Sequence, residues 1–339
     1  MESEEISSEC CGSGCTNCIL DQIIRSQNLI RNVDESSILP IGYYRAFKCT
    51  LIEQIMDNTF LFRFRLVPTD EEQQKQLIVA PGSHLMLRIF KNWRFANRPF
   101  NSIFSKWRSS MAQFKNTETR DRRRVVEKHD KTELDLYLSR PYTPIRVNCD
   151  EKSFDVLIKL ESGGEMSEYL LTLHTDDVTE WKGAYTGFFW KRNMHKHLFG
   201  FVQGVGLAPV YSIMANILND EEDETLLNLW YCCKDMDSIL LRSDLQAMSH
   251  YWNFKSVIYL SREKCSCGGR TSRNCLCLSS KKRYNEQIFN HRLEKQDIQN
   301  LLEKVAPDSV QVLICGNESF AELIVACITE LHIENYYKF

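Results

Sequence analysis

Leu198-Phe199-Gly200-Phe201-Val202 runs directly into Gln203-Gly204-Val205-Gly206-Leu207-Ala208-Pro209, and an apolar, helix-like stretch over residues 210–218 follows. A short apolar run, a glycine turn and a helix in that order make one βα unit. The glycines permit the tight turn, and the helix N-terminus brings unpaired backbone N–H groups to the end of the strand. In open α/β sheets that place binds nucleotides. Taken alone, the motif also fits a strand–helix turn that holds no ligand, so its surroundings decide.

Downstream the alternation continues. Strand-like residues 226–233 precede a helical pattern over 238–248, residues 256–260 precede 287–302, and residues 310–315 precede 319–331. Strand and helix in alternation imply parallel strands joined by right-handed crossovers. Upstream, from Tyr43, the texture is different. Runs rich in β-branched and aromatic residues dominate, as in Phe47-Lys48-Cys49-Thr50-Leu51-Ile52. In residues 59–66, Phe60, Phe62 and Phe64 alternate with Leu61, Arg63 and Arg65, which sends the rings to one face of a strand. Further strands are expected at 84–89, 134–137 and 154–159. Many short strands with few helical stretches indicate an antiparallel barrel or sandwich. The expected fold class is therefore α+β with two domains, an antiparallel β-barrel followed by an α/β parallel-sheet domain. The expected boundaries are 1–40 for an N-terminal segment with one short helix over 19–29, 41–192 for the barrel and 193–339 for the α/β domain.

The bulk numbers set limits on partners and place. With 339 residues the chain is long enough for two cores. A net charge of -3 gives no global attraction to nucleic acid or anionic lipid, and no nucleic-acid partner is expected. The start, Met1-Glu2-Ser3-Glu4-Glu5, lacks the basic region of a signal peptide, and no apolar run reaches the ~18 residues of a membrane span. A cytoplasmic protein is expected, soluble or peripheral on an intracellular membrane. In a reducing compartment the fourteen cysteines are free thiols or metal ligands rather than disulfides.

The order of motifs from Tyr43 to Phe339 resembles the ferredoxin-reductase superfamily and, within it, the NADH-cytochrome b5 reductases. Pro81-Gly82-Ser83-His84-Leu85 is similar to that family's PGQH turn. Arg140-Pro141-Tyr142-Thr143-Pro144-Ile145 matches its RPYTPI flavin motif, and Gly163-Gly164-Glu165-Met166-Ser167-Glu168-Tyr169-Leu170 is similar to GGKMSQYL. Lys182-Gly183-Ala184-Tyr185-Thr186-Gly187-Phe188 resembles the strand and turn that follow. Ile239-Leu240-Leu241-Arg242 resembles the DILLR helix start, and Cys315-Gly316 stands where a CGP motif would be.

The resemblance implies FAD in the barrel domain and NADH at the parallel sheet. Hydride would pass to flavin N5, and electrons would leave singly to an acceptor protein such as cytochrome b5. It assigns Arg140 to the flavin pyrophosphate, with Pro141 beside it. Tyr142 would lie against the isoalloxazine ring and the Thr143 hydroxyl near N5, these two being the candidate catalytic residues. Backbone N–H groups around Gly164, Met166 and Ser167 would face the pyrophosphate. The turn of Gly204, Gly206 and Pro209, together with Cys315 and Gly316, would receive the dinucleotide. A guanidinium fork suits a pyrophosphate for its paired, fixed donors.

Departures from the family fall mainly in the dinucleotide half. Val205 and Ala208 stand at two hydroxyl-bearing positions of GGTGITP, and Glu318, within the altered CGPPPM motif, is expected to put a repelling carboxylate where a dinucleotide would approach. Glu165 replaces a lysine in the flavin motif. A rival reading rests on Val205, Ala208 and Glu318, a flavin-binding or assembly module that keeps the fold without NADH turnover. The acidic run over 220–224 is expected to repel a 2′-phosphate, favouring NADH over NADPH.

Three segments stand apart. Cys10, Cys11, Cys15 and Cys18 hold one CxxC and supply four thiolates for a zinc or iron–sulfur site, or else form a labile thiol cluster. They resemble the short segment called the oxidoreductase-like domain. Cys265/Cys267 and Cys275/Cys277 have thiolate-knuckle spacing around a Gly/Arg/Ser loop. Between Arg88 and Lys128, within an insertion over about 90–130, twelve Lys/Arg face three acids, and seven aromatic residues are interleaved. This insertion suits an anionic membrane or an acidic electron acceptor, or else is a solvated loop. RNA binding has no motif behind it.

Overall fold

The computed structural model describes residues 37–39, 42–69, 75–96, 101–104, 136–263 and 276–339. The chain divides into two compact units, Met1–Gly187 and Phe188–Phe339.

The first unit holds β1 (Arg45–Met56), β2 (Thr59–Leu66), β3 (His84–Phe90), β4 (Tyr137–Tyr142), β5 (Pro144–Asn148), β6 (Ser153–Lys159) and β7 (Val178–Tyr185), with one short helix α1 (Glu165–Leu170). The sheet order is β4-β3-β7-β1-β2-β6-β5, antiparallel at every step. Its two edge strands, β4 and β5, are consecutive in sequence with only Thr143 between them. The edges of a flat seven-stranded sheet lie about 29 Å apart at ~4.8 Å per strand. One residue bridges ~7 Å between its neighbouring Cα atoms at most. The sheet must curl until its edges meet, which is the barrel expected from the sequence.

Alternation on β2 fills that barrel. Phe60, Phe62 and Phe64 are fully buried, and Arg63 turns outward to hold Asp155 of β6 in a two-pronged pair at 2.7 and 2.9 Å. Trp181 of β7 is the centre of the aromatic packing, 4.8 Å from Phe64 and 5.0 Å from Phe154 between ring centroids. Its indole N–H donates to Thr179 Oγ1 at 2.9 Å, and that hydroxyl donates to the Phe47 carbonyl. The one polar atom of the ring is thus satisfied inside an apolar core.

The second unit contains β8 (His197–Gln203), β9 (Leu226–Cys233), β10 (Phe254–Leu260), β11 (Gln287–Phe289), β12 (Val310–Cys315) and β13 (Tyr336–Lys338). The helices are α2 (Leu207–Leu218), α3 (Arg242–Met248), α4 (Leu276–Ser279), α5 (Lys295–Leu302) and α6 (Glu318–Glu330). The strands are all parallel, in the order β11-β10-β9-β8-β12-β13. From β8 the chain builds outward one way through β9, β10 and β11, then returns to build β12 and β13 on the other side. The reversal between β8 and β12 is a topological switch point, where the strand ends leave a crevice.

Several expected elements differ. The flavin motif itself forms strands, with β4 reaching Tyr142 and β5 starting at Pro144. Residues 287–302 are a strand and a helix: Gln287–Phe289 pairs in parallel with β10, and the helix begins only after Glu294, which forms a capping box with Asp297. Within 238–248 the helix starts at Arg242, because Leu241 takes a left-handed φ of 51° that breaks the turn before it. Tyr231 Oη accepts from the Leu240 N–H at 3.2 Å and holds that break. Arg242 pairs with Glu286 at 2.6 and 2.7 Å, and Lys281 with Glu263 at 2.5 Å. No helix among the described residues is long and apolar enough to cross a membrane.

Replacing Trp181 by Ala removes the ring on which Phe64, Phe154 and Tyr142 all pack. The expected loss is about 3–5 kcal/mol, read as a fall in the urea midpoint of the first unit.

Candidate functional site

The seam of the barrel carries the first group of candidate residues. Arg140 and Tyr142 are two apart on β4, opposite Leu87 and Leu85 of β3, so they share one face of the strand. The Arg140 guanidinium donates to the Ser139 carbonyl at 2.8 Å and has no carboxylate partner among the described residues. Tyr142 is half-buried edge-on to Trp181, 6.0 Å between centroids. Desolvation pushes its phenol well above the usual range, while the positive charge of Arg140 pulls the other way. Neither the Tyr142 nor the Thr143 hydroxyl has a hydrogen-bond partner among the described residues. Pro141 is exposed, and Pro144 is buried.

The second group lies at the start of α1. Gly163 takes a φ of 74° with open space around it, and Gly164 is the N-cap, with no side chain capping the first turn. Met166 points into the core. The Ser167 hydroxyl accepts from the Glu161 N–H at 2.9 Å, bracing the turn from inside. Both side chains therefore hold the turn, and the unspent N–H groups of its first residues are what it offers a ligand. An uncapped turn and a guanidinium without a counter-charge each suit an anionic group, and two unspent hydroxyls suit a polar ring system.

His84, which the sequence reading passes over as a site residue, packs its ring parallel to Tyr185 at 5.4 Å. The turn before it is tied by Ser83 Oγ to Thr186 Oγ1 at 2.6 Å. A separate cleft of about 460 Å³ opens at the β5–β6 hairpin. It lies at the end of β5 away from Thr143, and its Arg63 and Arg146 already face Asp155.

In the second unit the structure brings the two sequence motifs together at the switch point. Gly204 takes a φ of 56°, and the turn Gly204–Gly206 leads into α2, with Pro209 in its first turn. A Cβ on Gly206 would lie 2.6 Å from the Cys315 carbonyl oxygen, so only glycine lets this turn meet the end of β12. Cys315 is half-buried there, and burial pushes its thiol up to about 12. It is an inert packing partner rather than a nucleophile. Asn317 caps α6, its side chain accepting from the Phe320 N–H at 2.9 Å.

Two expectations about charge are corrected. The acids of 220–224 precede β9, at the N-terminal ends of the strands, whereas the crevice opens at the C-terminal ends. Asp220 and Glu222 pair with Arg192, and Asp223 accepts from the Trp190 indole. This run cannot screen a 2′-phosphate at the crevice. Glu318, in turn, is ion-paired with Lys338 of β13 at 2.7 Å, so its charge is offset within the unit. No pattern in the sequence links a carboxylate on α6 to the final strand.

Cys10, Cys11, Cys15, Cys18 and the Cys265/Cys267 and Cys275 thiols lie outside the described residues, as does most of the basic insertion. Among the described residues no group of three or more His, Cys, Asp or Glu is placed to hold a metal ion.

Residues 130–190 match the model of the oxidoreductase FAD-binding domain, and residues 202–326 match that of the oxidoreductase NAD-binding domain. A human relative called NADH-cytochrome b5 reductase-like is 28% identical across 96% of this chain and 90% of its own length. A mouse relative of the same name is 26% identical across 99% and 94%. Among solved structures, the cytochrome b5 reductase domain of Ulva prolifera nitrate reductase superposes with a TM-score of 0.61 at 19% identity, covering 89% of this chain and all of that one. Fold and domains define a flavoprotein oxidoreductase with an FAD-binding and an NAD-binding unit. Along nearly its whole length the chain is similar to proteins called NADH-cytochrome b5 reductase-like, and it shares the fold of the Ulva prolifera reductase domain.

Burial holds the His84 pKa down to about 4. In the unfolded chain the same ring titrates near ~6.5. Protons then bind the unfolded state first, so the contribution is complete above ~6.5 and is lost as pH falls towards 4. Between pH 7 and 5 the thermal midpoint should fall further for the wild type than for His84→Gln. Parallel pH profiles for the two proteins would refute this.

Proposed function

We propose that the chain is an FAD-dependent NADH oxidoreductase that passes electrons to a protein acceptor of the cytochrome b5 type. The observation that carries it is the set of unspent groups at the barrel seam: Arg140, Tyr142 and Thr143, three polar side chains within four residues, each with donors left over. Buried or half-buried polar groups are ordinarily paired. A run of unspent ones at the place where the FAD-binding model matches supports a ligand rather than a structural role.

Arg140 would bind the pyrophosphate together with the first-turn N–H groups after Gly164. Tyr142, held edge-on by Trp181, would cover the ring system, and Thr143 would direct its hydroxyl to the reacting edge. FAD, when bound, supplies the chemistry of taking two electrons with a hydride and releasing them one at a time. Gly204 and Gly206 with Cys315 and Gly316 would form the walls that receive NADH, the glycines' lack of side chains allowing close approach. For NADH over NADPH, the support is the similarity along nearly the whole chain to proteins called NADH-cytochrome b5 reductase-like. The acceptor surface is assigned to the basic insertion, where positive charge would meet an acidic partner. A reducing, cytoplasmic setting agrees with the six described cysteines standing as free thiols.

The purified protein should be yellow and should bleach on adding NADH. A protein that stays colourless and takes up no added FAD overturns the reading. Arg140→Ala removes a charge-assisted pair with the pyrophosphate, worth about 1.5–3 kcal/mol, and should weaken FAD binding about 10- to 100-fold in a titration of the apoprotein.

A further inference from the structure

Val205 and Ala208 leave the glycine turn without hydroxyl donors, yet the strand that enters the turn ends in a side chain with donors to give. Gln203 is the last residue of β8. Its Oε1 accepts from the Asn317 N–H at 3.2 Å, and its Cβ lies against Gly316, where an added Cβ would approach it to 3.1 Å. The hydrogen bond decides which way the amide faces. With Oε1 committed to a backbone donor, Nε2 is directed away from Asn317, and it has no acceptor among the described residues. Gln203 is half-exposed, so both Nε2 hydrogens remain available at the mouth of the crevice.

We infer that Gln203 is a specificity-determining donor of this chain, presenting Nε2–H to the carboxamide oxygen of a bound nicotinamide. The inference rests on the proposed placement of the dinucleotide between the two turns. A pinned primary amide is complementary to another primary amide: it gives a donor in fixed orientation without a charge, and its rotamer is already paid for in the free protein. The donor that the turn itself lacks is thus supplied from the strand before it.

The test compares wild type, Gln203→Ala and Gln203→Glu, each loaded with FAD, by calorimetry with NAD+ and with ADP-ribose, which lacks the nicotinamide. Glutamate keeps the acceptor for the Asn317 N–H and loses the donors. Both variants should bind NAD+ about five- to tenfold more weakly, the loss of roughly one hydrogen bond, and bind ADP-ribose within about twofold of wild type. Equal weakening for the two ligands would make Gln203 a structural latch and overturn the inference. A Gln203→Glu protein that binds NAD+ like wild type would overturn it too, since the latch alone would then suffice, as would unchanged NAD+ affinity in both variants or no NAD+ binding by wild type. Wild type that binds NAD+ but is not bleached by NADH would refute the proposed turnover while leaving the comparison of affinities in force.

Discussion

A single residue, Thr143, joins the two edges of a seven-stranded sheet, and this covalent step governs the first unit. It forces the sheet to curl, brings its two edge strands to one corner, and fixes the last residues of β4 beside the first of β5. Closure also determines which side chains meet. Arg140 and Tyr142 fall on one face because they are two apart on a strand, and the hydroxyl of Thr143 stands at the join itself. The site is a by-product of finishing the barrel, and it needs no loop of its own to be precise.

The second unit reaches the same end by topology rather than closure. Reversal of strand order between β8 and β12 sets two turns side by side that are more than a hundred residues apart in sequence. Gly206 against the Cys315 carbonyl is the contact that makes them one wall. An antiparallel sheet would put successive turns at alternate ends. Only parallel strands bring all their C-terminal turns to one edge, which is why the alternation of strand and helix mattered more than any one motif.

Much of this was legible from the chain. The phenylalanine alternation on β2 and the strand–turn–helix around Gly204 follow from local periodicity, which a sequence displays directly. The residues of the flavin motif were readable as a set, but their lying on strands was not, since Arg-Pro-Tyr-Thr-Pro holds two prolines and reads as a turn until the sheet edges are seen to be filled by them. Long-range charge pairs were also hidden. Glu318 looked like a repulsive group and the acids of 220–224 like a discriminating one, because sequence gives their sign and not their position. Lys338 pairs with Glu318, and Arg192 with Asp220 and Glu222, across distances in the chain that no spacing rule connects.

The paired clamps Arg242–Glu286 and Lys281–Glu263 flank the stretch between Glu263 and Lys281. They fasten its two stems to the α/β unit whatever lies between. Once the ends are held, lengthening such a segment costs only about 0.6 kcal/mol per doubling. This edge of the parallel sheet is thus a place where descent can add, trim or replace sequence at little thermodynamic expense. New cysteine-bearing insertions can be tried there while the crevice between β8 and β12 keeps its geometry.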